Sequence, residues 1–104
     1  MLKRKPHVKP SLPGEILHEL FLKDRKITIK AFAEAIDCSP KHISNVIHGK
    51  ARIEPELAAR IASGLGTSIE LWLGLQSDFD VWEIRQKMKN WKPKTVFYNP
   101  EARA

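Results

Sequence analysis

The sequence predicts an all-α fold: five helices around one small core, flanked by an extended N-terminal arm and a C-terminal tail. Three observations carry that reading. Apolar residues recur at spacings of three and four in successive segments, as in helices that bury one face. The segments are punctuated by residues that open or close helices, with Pro13, Ser39-Pro40 and Pro55 at starts and Gly49 and Gly66 at ends. Apart from a short stretch near the C-terminus, nothing alternates in the manner of a strand, and no internal repeat is present. The divisions are an arm over residues 1–12, the helical domain with its fifth helix over 13–90, and a tail over 91–104.

Pro6, Pro10 and Pro13 restrict their own φ and push the preceding residue out of the helical region, so the arm is extended to about Leu12. The first helix starts near Pro13, buries Ile16, Leu17, Leu20 and Phe21, and dissolves into the charged turn "KDRK". Thr28 caps a second helix whose Ile29, Phe32, Ala33 and Ile36 share one face, ending at Asp37. Only Asp37 and Cys38 separate it from Ser39, an N-cap followed by proline, so a third helix starts almost at once and closes at Gly49. Pro55 opens a fourth through Leu57, Ile61 and Leu65, where Ala58, Ala59 and Ala62 permit close packing. Thr67 and Glu70 have capping-box spacing for a fifth, with Trp72, Leu75, Phe79 and Trp82 along it to about Met88; Thr95 to Tyr98 reads as a short strand.

At 104 residues the chain suits one domain. The single cysteine, Cys38, can form no internal disulfide, which fits a reducing compartment and makes the cytoplasm the default. The cationic start has no apolar segment behind it, and "LWLGL" is too short to span a bilayer, so no membrane association is expected. The formal charge of +6 favours an anionic partner. Lys3, Arg4, Lys5 and Lys9 supply four of those charges, with the rest of the chain nearly balanced.

Against that balance "SPKHISNVIHGKAR", Ser39 to Arg52, contains no Asp or Glu. On a helical wheel Val46 and Ile47 lie within about 60° of Ile43, while Lys41, Ser44, Asn45 and His48 gather on the opposite side. That face offers an amide able to pair with adenine, a lysine and a hydroxyl for base edges or phosphates, and an imidazole donor. A carboxylate among them would repel a phosphate backbone. A helix, a two-residue turn and a capped second helix with Lys50 and Arg52 beyond it form the helix-turn-helix arrangement, whose second helix enters the major groove of duplex DNA. Pro40, Lys41, Ser44, Asn45 and His48 are the expected base contacts; Thr28, Lys30, Ser39, Lys50 and Arg52 are the expected phosphate contacts.

Ala33, Ile36, the turn with Cys38 and Ser39, then Ile43, Ser44 and Val46 resemble lambda-repressor-like, XRE-type helix-turn-helix domains; Asp37 stands where glycine is usual and tolerates the left-handed conformation. Together with "LPGEILHELFL" before the motif, and "HGKARIEPELAARIASGLGTS" and "ELWLGLQSDFDVWEIR" after it, roughly residues 12 to 85 are similar to the HigA family of antitoxins. The resemblance implies a dimeric antitoxin that neutralises a HigB-type toxin, an endoribonuclease acting on translated mRNA, and that represses its own operon. It carries over no toxin-contact residue.

Trp72, Leu75, Phe79 and Trp82 are candidates for a dimer seam, though a helix covering its own core needs the same stripe. Dimerisation is expected because one motif buries little DNA contact area. The arm's cations read as electrostatic assistance, and Trp91, Val96, Phe97 and Tyr98 either dock on the subunit, pair across a dimer or add a strand to a toxin's sheet. His42 and His48 point about 120° apart, so they share neither a scissile phosphate nor a metal ion, and no cofactor motif is present. Asp78, Asp80 and Glu83 read as a solvated face, and no enzymatic activity is expected. The alternatives to an operator-binding antitoxin are a stand-alone repressor without a toxin and a module that binds RNA or an acidic protein.

Overall fold

The computed structural model describes residues 8–98. The first helix opens at Pro13, with α1 spanning Pro13–Ile16, and continues unbroken as a π-helical segment, Leu17–Leu22. An ordinary α-helix was expected throughout, and the difference decides which side chains are buried. In a π-helix the hydrogen bonds join residues five apart and the wider turn brings them towards one face, so Leu17 and Leu22 both reach the core with no exposure, Ile16 and Phe21 flank them, and Leu20 is turned out at 65% exposure. The widened turn closes with Lys23 N–H donating to His18 C=O at 2.9 Å.

The next two helices match the expected punctuation. In α2, Ile29–Ala35, the Thr28 hydroxyl accepts from Ala31 N–H at 3.0 Å; in α3, Pro40–Ile47, the Ser39 hydroxyl accepts from His42 N–H at 3.0 Å. Between them Asp37 adopts φ +56°, the left-handed conformation for which a short polar residue is the next choice after glycine. Arg60 steadies this strained corner from the neighbouring helix, its Nη1 donating to the carbonyls of Ile36 at 3.0 Å and Asp37 at 2.9 Å. Gly49 leaves α3 at φ +75°.

α4, Pro55–Leu65, ends at Gly66 with φ +73°. The N-cap of α5, Ile69–Lys87, is Ser68, whose hydroxyl accepts from Leu71 N–H at 3.0 Å. Thr67, the expected cap, instead accepts from Trp72 Nε1 at 2.7 Å. That bond lets an indole lie in the core with its polar edge satisfied. Trp72, Leu17, Ile43 and Ile61 are fully buried, and Phe21 meets the Trp72 ring at 5.3 Å between centroids.

The described part of the arm, residues 8–12, is non-helical, with Pro10 buried and Lys9 Nζ 5.3 Å from the centre of the Trp82 ring. Lys3, Arg4 and Lys5 lie outside the described residues. The strand expected at Thr95 to Tyr98 does not form: the described tail is irregular and makes no sheet. Nor does it dock on its own subunit, since Trp91, Val96, Phe97 and Tyr98 are 61%, 69%, 95% and 74% exposed. Among the described residues no adjacent strand satisfies the edge groups that would hold this segment extended. No helix among the described residues is long and apolar enough to cross a membrane.

Candidate nucleic-acid interface

α3 is anchored by one face and open on the other. Ile43, Val46 and Ile47 are buried, Pro40, Lys41 and His48 are exposed, and Ser44 and Asn45 are partly exposed at the edge of the outward face. The expected base-contact set therefore shares one accessible surface. The peptide leaving α3 folds back on it, with Lys50 N–H donating to Asn45 C=O at 2.8 Å, which fixes exposed Lys50 beside the helix end. Lys30 is exposed in the first turn of α2.

Two groups differ chemically from the expectation. His48 Nδ1 lies 2.8 Å from the Ser44 carbonyl and 3.3 Å from the Ser44 hydroxyl. Donating to that carbonyl requires the proton on Nδ1, so a neutral ring presents Nε2 outward as an acceptor, suited to an exocyclic amine of adenine or cytosine. Only the imidazolium donates outward. The Thr28 and Ser39 hydroxyls serve as caps by accepting, which leaves each O–H free to donate towards a phosphate oxygen.

Arg52, expected to meet a phosphate, is instead engaged within the chain. Its guanidinium grips Asp80 with both terminal nitrogens, Nη1 at 3.0 Å from Oδ1, and its Nε donates to Glu54. Hydrogen bonds to Asp80, then to Glu54, hold Arg52 above its ordinary pKa. Burial pushes the Asp80 carboxyl up, but bonds from Arg52 and Gln76 outweigh it and leave Asp80 below its usual value. Two carboxylates thus offset the charge of Arg52, whereas Lys30, Lys41 and Lys50 are exposed. Asp80 is accordingly no mere solvated residue.

Gln76 was not anticipated. It is 7% exposed, accepts from Ile53 N–H at 2.8 Å and donates to Asp80 at 3.0 Å, so α5 holds the loop after α3 at both Ile53 and Arg52. Its sequence signal was its place four residues after Trp72 on the same stripe. Of the dimer candidates, Trp72 is core in its own subunit and has no surface to offer. Leu75 packs partly against the core, and Phe79 and Trp82 are partly exposed with rings 6.2 Å apart. Beyond them Val81, Ile84 and Met88 are 43%, 49% and 42% exposed, an outer apolar face that core packing does not require. Among the described residues no three His, Cys, Asp or Glu side chains converge in a metal-binding group.

Comparison with known proteins gives this geometry a lineage. Residues 19–72 match the helix-turn-helix family. Antitoxin HigA-1 of Vibrio cholerae serotype O1 is 36% identical over 104 residues, covering 96% of this chain and 98% of the relative. An uncharacterised HTH-type transcriptional regulator of Haemophilus influenzae is 34% identical, over 82% of this chain and 85% of its own length. Among solved structures, antitoxin GraA in complex with its operator superposes with a TM-score of 0.76 at 28% identity, covering 92% of this chain and 99% of that one. The match takes in the paired helices and the fifth helix alike, so this chain belongs to the helix-turn-helix family, within its HigA antitoxin branch.

Proposed function

We propose that the chain is an operator-binding antitoxin: it inserts α3 into the major groove of its own promoter, represses that operon, and neutralises a HigB-type toxin. The observation that carries the reading is the outward face of α3, where Lys41, Ser44, Asn45 and His48 stand free of any carboxylate over a buried Ile43, Val46 and Ile47. Pro40 adds apolar contact, and Lys30, Lys50 and the Thr28 and Ser39 hydroxyls hold the flanking phosphates. A relative named antitoxin HigA-1 and a neighbour solved with its operator support the same role. On this reading the protein acts by binding, and no residue is assigned a catalytic role.

Two copies pair through the C-terminal half of α5, with the partly exposed Phe79 and Trp82 in the seam, setting two recognition helices about 34 Å apart, one turn of duplex. Titration of the protein against its own upstream DNA at several salt concentrations tests the first half: expected is a salt-sensitive, sequence-dependent complex of two chains. Equal affinity for a scrambled duplex would refute operator recognition. Co-purification with the product of an adjacent short reading frame tests the second half. The regulator-named relative favours a second reading, a stand-alone repressor, which predicts the same DNA complex and no co-purifying toxin.

A further inference from the structure

The positive charge of this chain is concentrated away from its recognition unit. Residues 10–84 hold more carboxylates than lysines and arginines, whereas residues 85–100 hold Arg85, Lys87, Lys89, Lys92 and Lys94 and no carboxylate. Interleaved with these cations are three aromatic rings, Trp91, Phe97 and Tyr98, all more than half exposed. We infer that the end of α5 and the tail to Tyr98 form a second binding element whose ligand is single-stranded nucleic acid, separate from the duplex-reading face of α3.

Ordinary structural roles account for only part of this segment. Arg85 and Lys87 lie in the last turn of α5, where cations complement the helix dipole, and Lys87 Nζ comes within 3.8 Å of Glu83. The dipole's influence fades within a turn, so it gives no reason for Lys89, Lys92 and Lys94. Among the described residues Arg85, Lys89, Lys92 and Lys94 form no ion pair. The rings equally lack a role in the fold, because they sit beyond the core in an irregular segment.

The chemistry of the set selects its ligand. A duplex offers phosphates to the lysines but keeps its base faces stacked and out of reach of the rings. A protein partner would use the rings, but lysine is depleted in protein interfaces. A single strand supplies both counterparts at once: a phosphate chain for the ammonium groups and unstacked bases for the aromatic faces. Pro93 denies the segment a continuing helix, leaving it extended enough to follow such a strand. This element does not depend on the operator reading, and its test separates the two.

The test is fluorescence anisotropy of the full chain with a labelled mixed-sequence single-stranded RNA of about 15 nucleotides, alongside the upstream duplex, from low to moderate salt. Affinity for the single strand is expected to fall with salt at about −0.7 log units per log unit of salt for each phosphate neutralised. A combined Lys89→Ala, Lys92→Ala, Lys94→Ala variant should reduce that slope by about two, for three phosphates. A combined Trp91→Ala, Phe97→Ala variant should weaken binding about tenfold or more with the slope unchanged. Both variants should keep the parent's unfolding temperature, and Asn45→Ala should leave single-strand binding intact while impairing the duplex. Tryptophan fluorescence quenched by the strand should lose that quenching in Trp91→Leu. Failure of the parent chain to bind the strand, undiminished binding by the lysine variant, or loss confined to the duplex would each overturn the assignment.

Discussion

Gly14 is the position at which one added methyl group should disturb the reading head without touching it. A Cβ there would lie 1.9 Å from the carbonyl oxygen of Val46, 2.5 Å from its carbon and 2.7 Å from Cα of Ile47, all backbone atoms of α3. Opening the tightest contact to the 3.0 Å below which real Cβ contacts essentially never fall requires the two helices to separate by about an ångström, and no side-chain rotation relieves it. Helix propensity favours alanine over glycine by about 1 kcal/mol at most. Overpacking of a close contact costs about 1–3 kcal/mol or more, and a backbone-to-backbone clash belongs at the upper end. Gly14→Ala should therefore be destabilised by about 2 kcal/mol, lowering the unfolding temperature by about 10 °C at 4–8 °C per kcal/mol. Operator titration well below that temperature should also weaken, because α3 is the element displaced. Calorimetry showing an unchanged or raised midpoint would mean that propensity outweighs the clash and that the two helices are not in the contact described.

Asn45→Ala should cost about 1–3 kcal/mol of operator affinity and relax preference at one base pair, whereas Lys50→Ala should weaken every duplex and reduce the salt slope by about one; equal loss on cognate and scrambled DNA for the asparagine variant would contradict its role. Gln76→Ala leaves the Ile53 amide buried without its acceptor and should cost about 1–3 kcal/mol in urea unfolding, with faster hydrogen exchange at Ile53. Because Asp80 titrates below its ordinary value in the fold, its contribution is complete above about pH 4, the unfolded value, and is lost as pH falls through the lowered one. Asp80→Asn should flatten that acid limb of a stability-against-pH curve by about 1 kcal/mol or less, since the pair is partly solvated; an unaltered limb would show the pair to be energetically silent.

Much of this molecule is written in local chemistry and was legible from it. Thr28, Ser39, Gly49 and Gly66 act at the helix ends where their side chains or backbone freedom predict, and the face of α3 follows from the spacing of Ile43, Val46 and Ile47. What was not legible depends on long-range partners or on a change of helical pitch. The π-helical turn shifts the buried set from Leu20 to Leu22, which a fixed 100° per residue cannot anticipate. Arg52 looks like a phosphate cation until Asp80, 28 residues away, is folded against it. Thr67 and Ser68 are equivalent caps in sequence, and the indole of Trp72 decides between them. Trp72 and Trp82 occupy one stripe, yet the first is core and the second partly open, because α5 continues past the body it covers.

The polypeptide leaving α3 is riveted to α5 at two places, the Ile53 amide on Gln76 and the guanidinium of Arg52 on Asp80. Rotating the long rod about its axis would drag that exit peptide, and with it Lys50 beside the end of α3. A ligand that grips only the far end of α5 would thus hold a lever on the loop after α3 without covering the outward face of α3 itself.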